Sequence, residues 1–258
     1  MKSLILSSVM LLACQAEPPA KPSKDLDPKD PRSILEHAAY NTRTQQSYET
    51  TFKARLAAPN GAPLDYDGRC VWIRPGVLFV HYTASGGDEK MIVRTGPGPE
   101  DAWVYHSLAE AWATAAQVAM PGAGRGIQNP DEVLAVISRN SGAAKLIKPG
   151  VVELSFSGED IEKVMKEQAS KGAFDWKQSS ATLVLTVDAE NRLQNFTCDA
   201  TLQSTDPQIK GKVRYSAEVK LVGYNGAREI KFLDEKKREI PLTPEMKAKI
   251  ASVLKEKQ

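Results

Sequence analysis

The chain has 258 residues and a formal net charge of +2, and 41% of its residues are hydrophobic. This length can form one large domain or two small ones, and the hydrophobic content is ordinary for a globular protein. The nearly balanced charge gives no indication of a nucleic-acid partner, and no segment after residue 14 has the ~20 apolar residues of a membrane span.

The first fourteen residues have the features of a bacterial export signal. Lys2 gives a short basic start, residues 4–12 are mostly apolar, and residues 11–14 (Leu-Leu-Ala-Cys) have the pattern of a lipobox. The apolar run is too short to span a bilayer and predicts a signal peptide; a core strand that is not cleaved is the alternative. Similarity to lipoprotein signals implies removal of residues 1–13 and a diacylglycerol on the sulfur of Cys14. Stable anchoring needs more than one acyl chain, and the diacylglycerol, usually with an N-acyl group as well, meets that need.

Residues 14–30 are rich in proline and charge and have little to bury. An extended tether of this kind rises ~3.1 Å per residue and reaches roughly 50 Å, so the domain predicted over residues 31–258 lies away from the membrane surface. Gln15 follows the cysteine, where an aspartate would act as an inner-membrane retention signal in enterobacteria. By that analogy we predict a cell-envelope protein that is lipid-anchored to the outer membrane and faces the periplasm.

The folded part begins with a predicted helix and a run of antiparallel strands. Asp30 is a good N-cap residue and is followed by proline. Apolar and polar side chains then alternate from Tyr48 to Leu56, which predicts a strand that turns at residues 59–61 into a hairpin. From Tyr66 to Tyr105, three runs rich in Val, Ile and aromatic residues are separated by Pro-Gly, Gly-Gly and Gly-Pro, which is typical of strands joined by short turns.

This central stretch resembles the lipoprotein-carrier superfamily, the LolA/LolB-like periplasmic and outer-membrane lipoproteins. The elements that carry the resemblance are, in order, Trp72, Arg74-Pro75, residues 77–82, Ile92-Val93 and residues 103–105 (Trp-Val-Tyr). The resemblance implies an α+β fold with a strongly curved antiparallel sheet, a half-open β-barrel whose concave face is covered by helices. It implies an apolar cavity for acyl chains and a hydrogen bond from Arg74 to the helices at the cavity mouth. An arginine at a strand end with its charge in water is the alternative.

The second half of the chain contains one ambiguous segment and a series of clearer elements. Ser107 and Glu110 have capping-box spacing before an alanine-rich run, which favours a helix over residues 106–120; the resemblance instead continues a strand through Trp112. We predict the helix. Further helices are predicted over 129–140, over 158–172 and from Thr243, and strands over 151–156, 180–187, 192–203, 212–223 and 230–233.

Cys70 and Cys198 lie in predicted strands of a chain that we expect in an oxidising compartment. A disulfide between them would close a loop of about 130 residues, worth at most ~5 kcal/mol in the chain-entropy model. Two free buried thiols are the alternative.

No catalytic or metal-binding pattern is present in the sequence. The three histidines are scattered along the chain, and no serine lies in a G-x-S-x-G context. Asp65 and Asp67 lack the oxygen-rich loop that calcium needs. We therefore predict a protein that is not an enzyme and that uses no metal or cofactor.

The predicted function is the binding of acyl chains or lipoproteins in an apolar cavity, as a carrier or acceptor. The protein is expected to be a monomer that reaches the membrane through its lipid anchor. Phe52, Trp72 and Phe79 are the candidates for lining the cavity. The alternative is a structural or interaction lipoprotein whose own helices fill this space and which has no ligand.

Overall fold

A computed structural model describes the chain over residues 21–59, 61–96, 98–120, 133–134, 143–156, 158, 160–161, 174–205, 209, 211–226, 230–234 and 236–255. Two α-helices of the described part are α1 (Pro31–Arg43) and α2 (Pro244–Lys255). The strands are β1 (Ser47–Ala57), β2 (Leu64–Ile73), β3 (Val77–Ala84), β4 (Glu89–Arg94), β5 (Ala102–His106), β6 (Ala111–Thr114), β7 (Ala144–Lys148), β8 (Val151–Phe156), β9 (Phe174–Val187), β10 (Leu193–Ser204) and β11 (Lys212–Tyr224).

All of these strands belong to one antiparallel sheet with the order β6-β5-β4-β3-β2-β1-β11-β10-β9-β8-β7. Strands β1 to β6 form one meander and β7 to β11 another, and the two meet where β1 pairs with β11 at the centre. Within the described residues the sheet does not close, because β6 and β7 are its two edges. The predicted α+β class and the large antiparallel sheet are confirmed.

One face of the sheet, here called the inner face, carries a continuous apolar cluster. Strands β1 to β5 and β8 to β11 all contribute to it, with members that include Tyr48, Phe52, Tyr66, Trp72, Val80, Ile92, Val104, Leu154, Leu185, Phe196 and Val219. Helix α1 adds Ile34, Leu35 and Ala39 to the same cluster. Val133 and Leu134, which belong to the connection between β6 and β7, are also buried in it. The inner face is therefore the main core of the domain.

Helix α1 begins and ends with side-chain hydrogen bonds. The Asp30 carboxylate accepts a hydrogen bond from the Arg32 backbone N–H at 2.9 Å, which satisfies one of the free donors of the first turn. At the other end, the Thr42 hydroxyl accepts a hydrogen bond of 2.8 Å from the backbone N–H of Leu193. The C-terminal end of α1 is thus held against the start of β10.

The opposite side of strands β2 to β6, here called the outer face, is covered by the C-terminal segment, residues 230–255. Ile230, Phe232 and Met246 are almost fully buried there. Their partners on the sheet are Val71, Val77, Phe79, Met91, Val93 and Trp103. The Thr243 hydroxyl accepts a hydrogen bond of 3.2 Å from the Met246 N–H at the start of α2, as the capping pattern predicts. The domain therefore has a second core, on the outer face.

Two predicted elements are wrong. Residues 106–120 form no α-helix: a short 3-10 turn (Ser107–Ala109) leads into β6, which pairs with β5 through Tyr105 and Trp112. Strand pairing prevails over the local preference of the alanine-rich run. Residues 230–233 do not join the sheet and form only a bridge from Leu233 to Glu239, because their apolar side chains pack on the outer face.

Several other predictions lie outside the described residues. These are the signal sequence with Cys14, the tether up to residue 20, and nearly all of the helices predicted over 129–140 and 158–172. Among the helices of the described part, none is long and apolar enough to cross a membrane.

Candidate functional site

Trp72 lies on the inner face at the end of β2, as the alternation of β2 predicts. It is 6% exposed and stacks on Tyr48 of β1, with ring centroids 5.1 Å apart and an angle of 6° between the ring planes. The two residues are direct register partners, which explains the contact. This aromatic pair forms one end of the inner face.

Phe52 also lies on the inner face, near the middle of β1. Its register partner on β2 is Gly68, and the partner of Gly68 on β3 is Tyr82. A Cβ atom at Gly68 would lie only 2.8 Å from the Phe52 ring and 2.5 Å from the backbone oxygen of His81. The glycine therefore gives the Phe52 ring room to lie close to β2, beside Tyr82, whose ring centroid is 6.3 Å away.

Gly68→Ala is expected to destabilise the domain by about 1–3 kcal/mol, the usual cost of overpacking. This cost should exceed the gain of up to ~1 kcal/mol that alanine normally gives over glycine inside a strand. Gly223→Ala in β11 is the matched control, because nothing lies within 4 Å of a Cβ atom there. Urea denaturation of both variants measures the difference; equal midpoints would show that the ring does not need the glycine.

Phe79 does not line the inner face, and this prediction is wrong. It is 1% exposed and belongs to the outer cluster, where its ring lies 6.4 Å from that of Phe232. The first four residues of β3, Val-Leu-Phe-Val, are all buried because the sheet is covered on both sides here. In such a strand the alternation of apolar and polar residues disappears, so the sequence did not determine which parity faces inward.

Arg74 connects the end of β2 to the segment that follows α1. Its Nε donates a hydrogen bond of 2.8 Å to the backbone oxygen of Gln45, and its guanidinium lies 4.4 Å from the centre of the Trp72 ring. The Asn225 side chain, after β11, accepts a hydrogen bond of 2.8 Å from the Gln46 N–H. The link between α1 and β1 is thus fastened to strands on both of its sides.

Arg94 is a buried arginine on the inner face, and no pattern in the sequence selects it. The side chain is 6% exposed, and Nη2 donates a hydrogen bond of 3.2 Å to the Gly98 backbone oxygen. A buried guanidinium needs such partners to offset the loss of water.

Three tyrosines lie on the inner face toward the end where the β1–β2 and β3–β4 turns are found. Burial, with a smaller effect of Asp88, raises the pKa of Tyr66 to about 12. Burial also raises the pKa of Tyr82 and of Tyr215, and Tyr66 contributes to both shifts. The three hydroxyls are therefore neutral at physiological pH and close enough to affect one another electrostatically.

Cys70 and Cys198 are both buried and form no disulfide, so of the two alternatives the structure has the two thiols. Two strands, β1 and β11, separate β2 from β10 in the sheet. Neighbouring strands are about 4.8 Å apart, whereas the Cα atoms of a disulfide are usually within about 7 Å. Burial raises the pKa of the Cys198 thiol to about 12, which makes it a poor nucleophile.

A groove of about 610 Å³ lies over the central strands on the side opposite the inner face. Its charged side chains are largely paired with one another: Lys53 with Asp67 at 3.4 Å and Arg55 with Asp65 at 3.6 Å. Exposed pairs of this kind contribute little to stability. Within the described residues, no group of three or more His, Cys, Asp or Glu side chains is arranged to hold a metal ion.

No protein-family model matches the chain, and no curated protein matches it by sequence. Several solved structures are distantly similar to it. The Mycobacterium tuberculosis lipoprotein LppX is 10% identical, with a TM-score of 0.38 over 78% of this chain and 97% of that chain. A LolA superfamily protein from Nitrosomonas europaea is 13% identical, with a TM-score of 0.32 over 80% of this chain and 95% of that chain. A DUF1329 family protein from Desulfovibrio piger is 9% identical, with a TM-score of 0.33 over 79% of this chain and 95% of that chain.

At this level of similarity the matches show no family for the chain, and the resemblance to lipoprotein carriers stays a prediction. Identities of 10% and 13% and TM-scores of 0.38 and 0.32 are too low to transfer a ligand. The ligand class has to be argued from the residues of the inner face.

Proposed function

We propose that this chain is a lipid-anchored envelope protein that binds acyl chains or lipoproteins on the inner face of its sheet, as a carrier or acceptor. The observation that supports this most is the extent of the inner face, an apolar surface to which strands β1 to β5 and β8 to β11 contribute. Apolar burial is worth ~25 cal/mol per Å², so even part of this face could hold an acyl chain.

The hydrogen bonds around α1 support a gated site. The helix contributes three side chains to the inner cluster, and its C-terminal end is held by the contacts of Thr42 and by the Gln45–Arg74 hydrogen bond. If α1 is displaced, it would therefore pivot about this fixed C-terminal end, and its N-terminal end would move away and uncover the inner face. In this proposal Arg74 holds the hinge and does not contact the ligand.

The proposal is tested by titrating the full chain carrying Cys14→Ser with a fluorescent fatty-acid probe. Saturable binding that a natural phospholipid displaces would support it, and absence of binding at micromolar protein would contradict it. The structural or interaction lipoprotein remains the second candidate, because Val133 and Leu134 are 1% and 0% exposed within the inner cluster. The chain thus fills at least part of this face itself.

The proposed anchor has its own test. Cys14→Ser should move nearly all of the protein from the membrane fraction to the soluble fraction, because two or more acyl chains on that residue would provide the stable attachment. Gln15→Ala keeps the cysteine and should stay in the membrane fraction. If the Cys14→Ser protein still sediments with membranes after a high-salt wash, the lipid anchor is wrong.

A further inference from the structure

The hydroxyl of Tyr66 is the one buried side-chain polar atom without a hydrogen-bond partner in the described part of the chain. The residue is 4% exposed and belongs to the inner cluster. A buried hydroxyl that has lost its water and gained no partner costs free energy, and native proteins rarely keep one without a reason. A ligand that accepts a hydrogen bond from Tyr66 would supply such a reason.

The side chains that follow Tyr66 across the inner face of the sheet are small. Its register partner on β1 is Ala54, which is followed across the sheet by Ala217 on β11 and Cys198 on β10. On the other side, the Tyr82 ring meets that of Tyr66 edge to face, with the centroids 5.9 Å apart. The row that starts beside Tyr66 thus consists of three small, buried side chains, which take up less room on the inner face than the larger apolar residues around them.

The electrostatics of this place favour a neutral ligand group. Burial is the main cause of the raised pKa of Tyr66 and of Tyr82, and Asp88 on the β3–β4 turn, which pairs with Lys90 at 2.9 Å, adds a smaller contribution to both. A ligand carboxylate would likewise lose its water there and would be close to the charge of Asp88. A carbonyl oxygen of an ester accepts a hydrogen bond without carrying a charge.

We propose that the Tyr66 hydroxyl donates a hydrogen bond to the ester carbonyl of an acyl lipid whose chain lies along the row from Ala54 to Cys198. The proposal rests on the acyl-binding function above and narrows its ligand class to esterified chains. Free fatty acids share the acyl chain and the carbonyl but add a negative charge.

Three pyrene-labelled probes with the same chain length test this: a methyl ester, the free acid and the alkane that lacks the carbonyl. The full chain carrying Cys14→Ser should bind the ester more tightly than the alkane or the acid. Tyr66→Phe should weaken ester binding by about three- to tenfold, the value of one hydrogen bond, and leave alkane binding unchanged. Tyr105→Phe, which removes a hydroxyl beside the outer cluster, is the control and should change neither affinity.

The outcomes separate this inference from the proposed function. If ester and alkane both bind but Tyr66→Phe leaves their ratio unchanged, the Tyr66 contact is wrong and the acyl-binding function stands. If the acid binds more tightly than the ester, the ester class is wrong. If no probe binds the parent, both proposals fail.

Stability gives an independent readout of the same hydroxyl. Removing an unsatisfied buried group should leave the urea midpoint unchanged or raise it. A lower midpoint for Tyr66→Phe would show that the hydroxyl already has a partner within the protein, which would overturn the inference.

Discussion

Replacing Phe52 with glutamate in the full chain carrying Cys14→Ser is expected to abolish binding of a fluorescent fatty-acid probe. Phe52 is 6% exposed on the inner face, beside Tyr82. An unpaired carboxylate at this position costs several kcal/mol unless water enters or the group is protonated. Acyl chains would have to pack against that charge, so the affinity of the variant for the probe should fall at least tenfold. Fluorescence titration and circular dichroism measure binding and fold together.

Thr51→Glu is the matched control for Phe52→Glu. It adds the same charge one residue earlier in β1, where the side chain is exposed on the opposite side of the sheet. It should therefore keep both fold and binding. If the chain's own helices fill this space instead, the parent should bind no probe and Phe52→Glu should unfold the domain.

The stability of Phe52→Glu should change with pH in a direction that the burial of the new carboxyl determines. Burial would raise the folded-state pKa of the introduced carboxyl above its unfolded value of about 4.3. Its cost to stability is therefore smallest below about pH 4.3 and grows as the pH rises through the folded pKa. Relative to Thr51→Glu, the variant should lose stability between pH 4 and pH 7; a constant difference would mean that the carboxyl is solvated.

The second large effect is expected on the outer face. Phe232→Ala should lower the free energy of unfolding by about 3–5 kcal/mol, as usual for a fully buried aromatic residue. Phe232 is 1% exposed, and its ring lies 5.3 Å from Trp112 and 6.2 Å from His81. It therefore joins the C-terminal segment to β3 and β6 at once.

Leu233→Ala is the control for Phe232→Ala, because the neighbouring side chain is 41% exposed. The free energy of unfolding of this variant should fall by less than about 1 kcal/mol. Urea denaturation of both variants decides the point. If they are equally stable, the C-terminal segment does not contribute a core, and the outer face must be stabilised by the sheet alone.

The strands were predicted best from the sequence where one face of the sheet is apolar and buried and the other is exposed to solvent. Strand β1 alternates buried and exposed side chains from Thr51 to Leu56, and Trp72 lies where the alternation of β2 places it. Strand β3 is buried on both faces, so its parity could not be determined and Phe79 was assigned to the wrong side. The alternation of apolar and polar residues along a strand is informative only where the two faces of the sheet differ in their exposure to solvent.

Other features depended on distant parts of the chain. Strand β6 pairs with β5 in spite of an alanine-rich sequence, and the choice between a disulfide and two thiols depended on the strand order, which separates the two cysteines. The surroundings of Tyr66 come from three further strands, which bring small side chains into its row across the sheet. A glycine within a predicted strand was a usable signal that went unused, since Gly68 marks the place where the Phe52 ring approaches the backbone.

The strand order also has a consequence for how the protein is made. The central pair of the sheet joins the first strand, β1, to the last, β11, whereas every other pair joins strands that are consecutive in the chain. A chain that emerges with its N-terminus first can form the β1–β6 meander early, but the paired edge of β1 stays bare until β11 arrives. Such an edge is a template for association with other chains, and long-range closure of this kind is slow. While the chain folds, the middle of the finished sheet is therefore the place where the unfinished protein is most exposed to misassembly.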